Sequence, residues 1–547
     1  MANCIPFVAS ASHAISSPSY ATTTRHCPGR TVHQSVAKCS SRLAARQCLQ
    51  KLSYEVLILV LEQLESLDTK SVFTVRSVCR IFDALATPIA YRRIALNEKI
   101  VHSDSQRRFP SALEHISAYT NHVIIRSNLM PRGIRRVLSG ITKLSSVTLH
   151  YVQDHNEQTS EFWSLSEILD LGQLSRHRTK ISIRNLPLGG FQQDLSQSLL
   201  NPLLTKHLVS LQLAKSVPPL TTKVDTLKRL LVQCPSLDTL EYEDLGRGTS
   251  FTFHAGECLP PVSNLVLKSY DWAHSADEVE RHWNMSELRS LTLVSVPVYN
   301  FLSSVFPADL SHLTCLRVHD SLASSVDRQE DATCGLYHLV KNHIAALQIL
   351  DLTCHTRLFP LDAITKHGAS LREVHFRDHI GFRNDDVKCP TLSPRDIAVL
   401  GRRLPFVHTL ELDMDAGLCS PPEFLQALST FPLLQHLTLH VQTLVRPGET
   451  DDPTRDRDYE SAVQAFSFLL LQRDRTNPDV PWRHMTINVG GWRRVMVRRL
   501  GSEWRTKNAR GIFAERCFVM QRDNAGQYNV REEMCHDARE YVSAAQL

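Results

Sequence analysis

Between residues 141 and 490 the apolar positions keep returning in one phrase. Three gap-free copies, Pro235-Ser-Leu-Asp-Thr-Leu-Glu-Tyr242, Pro405-Phe-Val-His-Thr-Leu-Glu-Leu412 and Pro432-Leu-Leu-Gln-His-Leu-Thr-Leu439, place apolar side chains two, five and seven positions after a proline. Proline cannot continue a helix, so it closes the helical pattern before it, and the alternation that follows predicts a strand. Looser copies run over 144–149, 208–213, 262–267, 288–293, 313–318, 347–352 and 371–376, with a weak one at 482–487. Helical spacing lies between them, as at Val224, Leu227, Leu230, Leu231 and at Ile397, Leu400, Leu404.

A different pattern occupies Leu52 to Ile94. Ser53 is a good N-cap, and Glu55 follows in the first turn, where the helix dipole favours a carboxylate. Leu52 and Leu57 have the spacing of a hydrophobic staple. Positions 56–61 are all apolar, which predicts a helix apolar on every side and therefore buried on every side. A second helix is expected from Asp68, with a stripe at Val72, Val75, Val78 or Cys79, Phe82 and Leu85; Thr87-Pro88 then restarts the chain as a third. Three short helices make a core too small to be stable without support, so a partner should cover one face.

The strand-plus-helix units, about 24 to 36 residues each, resemble leucine-rich repeats. Such units stack because none can bury its apolar face alone. The expected fold class is α/β: a small three-helix domain, then a solenoid with parallel strands on the concave face and helices outside. The asparagine that usually follows the strand is missing from most copies, so the repeats are degenerate. Residues alternating with the buried positions should face outward from the sheet. They include Arg184, Glu241, Glu243, Lys268, Arg317, His319, Asp351, Glu373, His375, Arg377, Glu411, Asp413 and His440. Together they are the expected docking surface for a protein target.

Residues 51–96 resemble an F-box. The likeness rests on the opening Leu52-Ser-Tyr-Glu-Val-Leu-Ile-Leu-Val-Leu-Glu-Gln-Leu64, on Val75-Arg-Ser-Val-Cys-Arg-Ile-Phe82, and on Leu85-Ala-Thr-Pro-Ile-Ala-Tyr-Arg-Arg-Ile94, a closing phrase similar to the fungal form. The resemblance implies docking on a Skp-family adaptor and, through it, on a cullin within an SCF-type ubiquitin ligase. The implied adaptor-facing positions are Leu52, Glu55, Val56, Val60, Leu64, Val75, Cys79, Phe82 and Leu85. The family usually opens Leu-Pro; Leu52-Ser53 keeps the helix start without the rigid entry. A repeat scaffold whose F-box-like cap has no ligase connection is the alternative.

Charge changes little. Residues 1–50 hold five basic and no acidic side chains; without them 61 Lys+Arg become 56, against 56 Asp+Glu, so the rest is neutral and whole-chain charge gives no argument for nucleic acid. That tail reads as disordered, with organelle import as the sharper alternative. Fourteen cysteines include no C-x-x-C pair, which argues against a zinc module and, with no secretory segment, for a cytosolic or nuclear setting. No apolar run reaches the ~20 residues of a membrane span. Residues 97–140 are expected as a helical linker, 446–458 as a charged loop within the repeats, and 491–547 as a cap with a basic helix and a β-hairpin. There is no P-loop, no G-x-S-x-G and no H-E-x-x-H. The expectation is a non-enzymatic adaptor with no cofactor and no metal.

Overall fold

A computed structural model describes residues 52–152, 165–186, 201–213, 224–243, 250–319, 328–379, 389–415, 417–441, 457–489, 516–523 and 526–533. The tail at 1–50, the loop at 446–456 and the basic stretch at 492–510 lie outside them. The chain divides into two compact units, 1–86 and 87–547.

The first unit is helical. Helix α1, Tyr54–Leu67, starts as its sequence dictates: the Ser53 hydroxyl caps it by accepting from the Val56 amide. Asp68 ends α1 and caps α2, Thr69–Arg76, through its side chain. The next break differs from expectation. It falls at Ser77–Cys79, where the Ser77 and Val78 amides turn back onto Thr74 and Val75, and helix α3, Arg80–Arg92, then runs straight through Pro88. An interior proline costs ~3 kcal/mol. Here Pro88 is exposed while Ala86, Thr87, Ile89 and Ala90 around it are buried, and burying an isoleucine alone returns ~2–3 kcal/mol. Packing therefore overrides the helix-breaking signal.

The second unit is built on one 16-stranded sheet whose strands follow one another in sequence order. Its first strands are β1 Arg93–Ala95, β2 His122–Arg126, β3 Ser146–His150, β4 Lys180–Leu186 and β5 Leu208–Leu213. Next come β6 Thr239–Glu243, β7 Asn264–Lys268, β8 Ser290–Val294 and β9 Cys315–His319. The series continues with β10 Ile349–Cys354, β11 Glu373–Asp378, β12 Thr409–Met414, β13 His436–Val441 and β14 His484–Val489. Neighbours from β1 to β14 are parallel; β15 Arg516–Arg522 and β16 Tyr528–Glu533 turn antiparallel as the expected hairpin. The architecture is an α/β, solenoid-like stack with a mostly parallel sheet. It starts before residue 141: β1 and β2 fall in the stretches read as F-box and helical linker.

Each repeat phrase acts alike. Its first apolar residue is buried in the turn before the strand (Leu288, Leu313, Leu347 and Leu371 among them) or, at Leu208, at the strand's start, and the next two point into the core from the strand. Strand and helix residues share one continuous core from Leu96 to Met520. Successive units are also tied by backbone: Arg289 and Ser290 both donate to the Ser263 carbonyl, and Arg372 and Glu373 to that of Gln348. Where units meet most closely there is no room for a side chain. A Cβ on Gly368 would lie 2.1 Å from the Arg403 carbonyl oxygen, and one on Gly401 2.0 Å from Thr430 Oγ1.

Candidate functional site

Two surfaces carry the residues singled out by sequence. The first is α1. A helix with Leu57 and Leu61 on one side buries those two and leaves the adjacent arc wet: Leu52, Val56, Leu59 and Val60 are exposed, Leu59 by 63% and Val60 by 51%. Within the chain itself the helix is therefore buried on one side only. Within 52–86 only Leu57, Leu61, Val72 and Ala86 are buried, because three short helices cannot enclose so apolar a sequence. Of the nine implied adaptor-facing residues, Leu52, Glu55, Val56, Val60 and Cys79 are exposed and Leu64, Val75, Phe82 and Leu85 half-buried. The Glu55 carboxyl is held below its usual range by the backbone amide at the helix start and by Ser53. Ten of the 22 large apolar side chains left exposed among the described residues lie between Leu52 and Ile81, far beyond a proportionate share.

The second surface is the sheet face turned away from the core. From β9 to β13 its side chains interlock. His319 Nε2 meets Asp351 at 2.9 Å, and Arg317 reaches Asp351 and Glu373 at 3.8 and 3.7 Å. Glu411 stands between two histidines, 2.5 Å from His375 Nδ1 and 2.6 Å from His440 Nε2. Arg377 donates to Asp413 at 3.2 Å, and the other oxygen of Asp413 accepts the Asp378 amide at 2.7 Å. Lys268 pairs with Glu241 at 2.8 Å further along.

The electrostatics follow from this packing. Burial alone would raise the Glu411 carboxyl, but bonds from His375 and His440 outweigh it and hold the group well below the usual carboxylate range. Burial would lower His375, yet its bond to Glu411 raises the imidazole instead. Asp351 is likewise lowered, against burial, by His319. Asp413 goes the other way: burial raises it despite Arg377.

Placement of the predicted docking residues is mixed. Arg184 is exposed, and Glu241, Glu243, Lys268, Arg317, Asp351, Glu373, His375 and Glu411 are partly exposed. His319, Arg377, Asp413 and His440 are buried, each under 9% exposed, so they are not open to a partner as expected. They sit at the third outward site of their strands, where they pair with neighbouring polar groups: His319 with Asp351, Arg377 with Asp413 and His440 with Glu411. Sequence alternation gives the side of the sheet but not its depth. It also passed over Arg126 and Lys180, because β2 and β4 lack the leucine phrase; the signal was the plain alternation in His122-Val-Ile-Ile-Arg126 and Lys180-Ile-Ser-Ile-Arg184.

Among the described residues no group of three or more His, Cys, Asp or Glu could hold a metal ion, and no helix is long and apolar enough to cross a membrane. His375 and His379, which share a ligand-like spacing, part company: His375 bonds Glu411 and His379 packs edge-on to His355. No family model matches the chain, and no curated protein matches it significantly.

Proposed function

We propose that the chain is a substrate receptor of an SCF-type ubiquitin ligase, with residues 51–96 docking a Skp-family adaptor and the sheet face of the repeats holding a target protein. The observation that carries this reading is the wet apolar arc of α1. Leu52, Val56, Leu59 and Val60 recur at helical spacing on one side, next to the buried Leu57 and Leu61. An exposed apolar patch of this density marks an interaction site. The F-box phrase in the same residues supplies the occupant: a Skp-family adaptor, and through it a cullin and its RING partner. No catalytic group is asked of this chain; the rate gain comes from holding the target beside a charged conjugating enzyme.

The test is co-purification of the full chain with the adaptor. Val56→Lys with Val60→Lys places two charges on the exposed arc without touching Leu57 or Leu61. Adaptor binding should vanish while urea unfolding of the repeats is unchanged. A wild-type chain that remains free of the adaptor at micromolar concentration refutes the reading.

A further inference from the structure

We infer that the N-terminal part of the sheet, β1 to β4, is a docking site for a short acidic segment of a protein, with carboxylates spread along an extended chain. This deepens the target-binding reading of the sheet face and rests on it. Strands β1 to β5 contain no Asp or Glu. On their outward positions stand Arg93, Arg126, Lys180 and Arg184, all exposed and none in an ion pair among the described residues, with His122 and His150 partly exposed between them. The register makes two rows of this set. Arg93, His122, Ser146 and Lys180 are aligned across four strands, and Arg126, His150 and Arg184 across three. The rest of the sheet face lacks this character: from β6 onward the cations on it, Lys268, Arg317, Arg377 and Arg531, are all paired with carboxylates. A register shift between β4 and β5 marks the change.

The spacing selects the ligand. Strands two apart are separated by about 10 Å, and positions four apart along a strand by about 13 Å. That spacing suits an extended peptide, which presents side chains to one face every ~7 Å. Nucleic acid fits less well. Single strands bind on basic grooves with aromatic platforms, and the floor between the rows is Ile124, Thr148 and Ser182. A longer polyanion running on along the sheet would also meet Glu241 and Glu243 on β6.

The test uses the full-length chain and a fluorescein-labelled peptide of alternating Glu and Ser, with a Lys-Ser peptide and a single-stranded oligonucleotide as controls, read by anisotropy. The Glu-Ser peptide should bind, weaken as salt rises, and lose about tenfold in affinity in Arg126→Glu with Arg184→Glu. Arg126→Ser with Arg184→Ser, checked by circular dichroism, gives the same answer if the reversed charges disturb folding. No binding of the Glu-Ser peptide, or affinity unchanged in both double variants, overturns the inference. So does tighter binding of the oligonucleotide that is lost in those variants, which would make the surface a nucleic-acid site. Adaptor co-purification on the same proteins separates the two readings: peptide binding without adaptor binding removes the ligase and keeps the docking site, and the reverse removes the docking site alone.

Discussion

Replacing Glu411 by Gln tests the histidine clamp most directly. The carboxylate accepts from His375 at 2.5 Å and His440 at 2.6 Å, with Arg377 at 3.8 Å, while only 21% of the side chain is exposed. A hydrogen bond to a charged group contributes ~1.5–3 kcal/mol and a neutral one ~1 kcal/mol. The amide keeps the shape, loses the charge, and turns one acceptor into a donor facing a ring nitrogen. The sign with pH follows from the two shifts. His375 is raised, so its contribution is full below the ordinary imidazole value of about 6.5 and fades as pH climbs through the raised one. Glu411 is depressed, so its contribution is full above the ordinary value of about 4.3 and is lost as pH falls through the depressed one. The clamp is strongest between those limits. At about pH 5.5 Glu411→Gln should cost about 3 kcal/mol, and less, toward about 1 kcal/mol, at about pH 8, where less of His375 carries a proton. Urea unfolding of wild type and variant at both values, followed by tryptophan fluorescence, measures this; buried Trp482 reports on the adjoining unit. Comparing variant with wild type cancels other titrations, such as His274 and His367, which burial pushes the opposite way. A cost that is equal at the two pH values, or larger at the higher one, refutes the clamp.

Other sites give sharper structural tests. Gly368→Ala drives a Cβ into the Arg403 carbonyl of the next unit, and overpacking of this kind should cost ~1–3 kcal/mol, read as a lower urea midpoint with an unchanged slope. Arg473 donates to the carbonyls of Phe431 and Leu434 at 3.2 and 3.0 Å and lies over the Trp482 ring at 4.6 Å. Arg473→Met fills the same space but orphans those carbonyls, at a cost of about 3 kcal/mol, and amide exchange should quicken around residues 431–434.

The repeats were legible because their signal is local. Leu-x-x-Leu-x-Leu phrases such as Leu288–Leu293 specify a buried turn residue and a strand at once, and those strands formed where the phrase lies. Strands β1, β2 and β4 lack the phrase and are held by pairing with neighbours, a non-local cause that no short window reveals. Pro88 misled for a similar reason: its local effect is to break a helix, and burial of Ile89 and Ala90 overrules it. For α1 the apolar arc was readable but its environment was not, since a run of six apolar residues does not say which two are covered. On the sheet face, period two gave the correct side for His319, Arg377, Asp413 and His440. That they are roofed over depends on side chains from separate units, such as His375, Glu411 and His440, meeting across a distance of dozens of residues in sequence.

A sheet whose strands lie side by side in one direction is a template at either margin, because each outermost strand offers unpaired amides and carbonyls to any similar strand. One margin here is β1, only three residues long. At the other, among the described residues, β15 reverses direction and β16 reverses again, ending in Arg531, Glu532 and Glu533. Among the described residues, a second copy approaching end-on therefore finds either a three-residue strand or a charged one. Removing the hairpin would bare β14, a six-residue strand with a buried apolar side, along the edge it gives to β15.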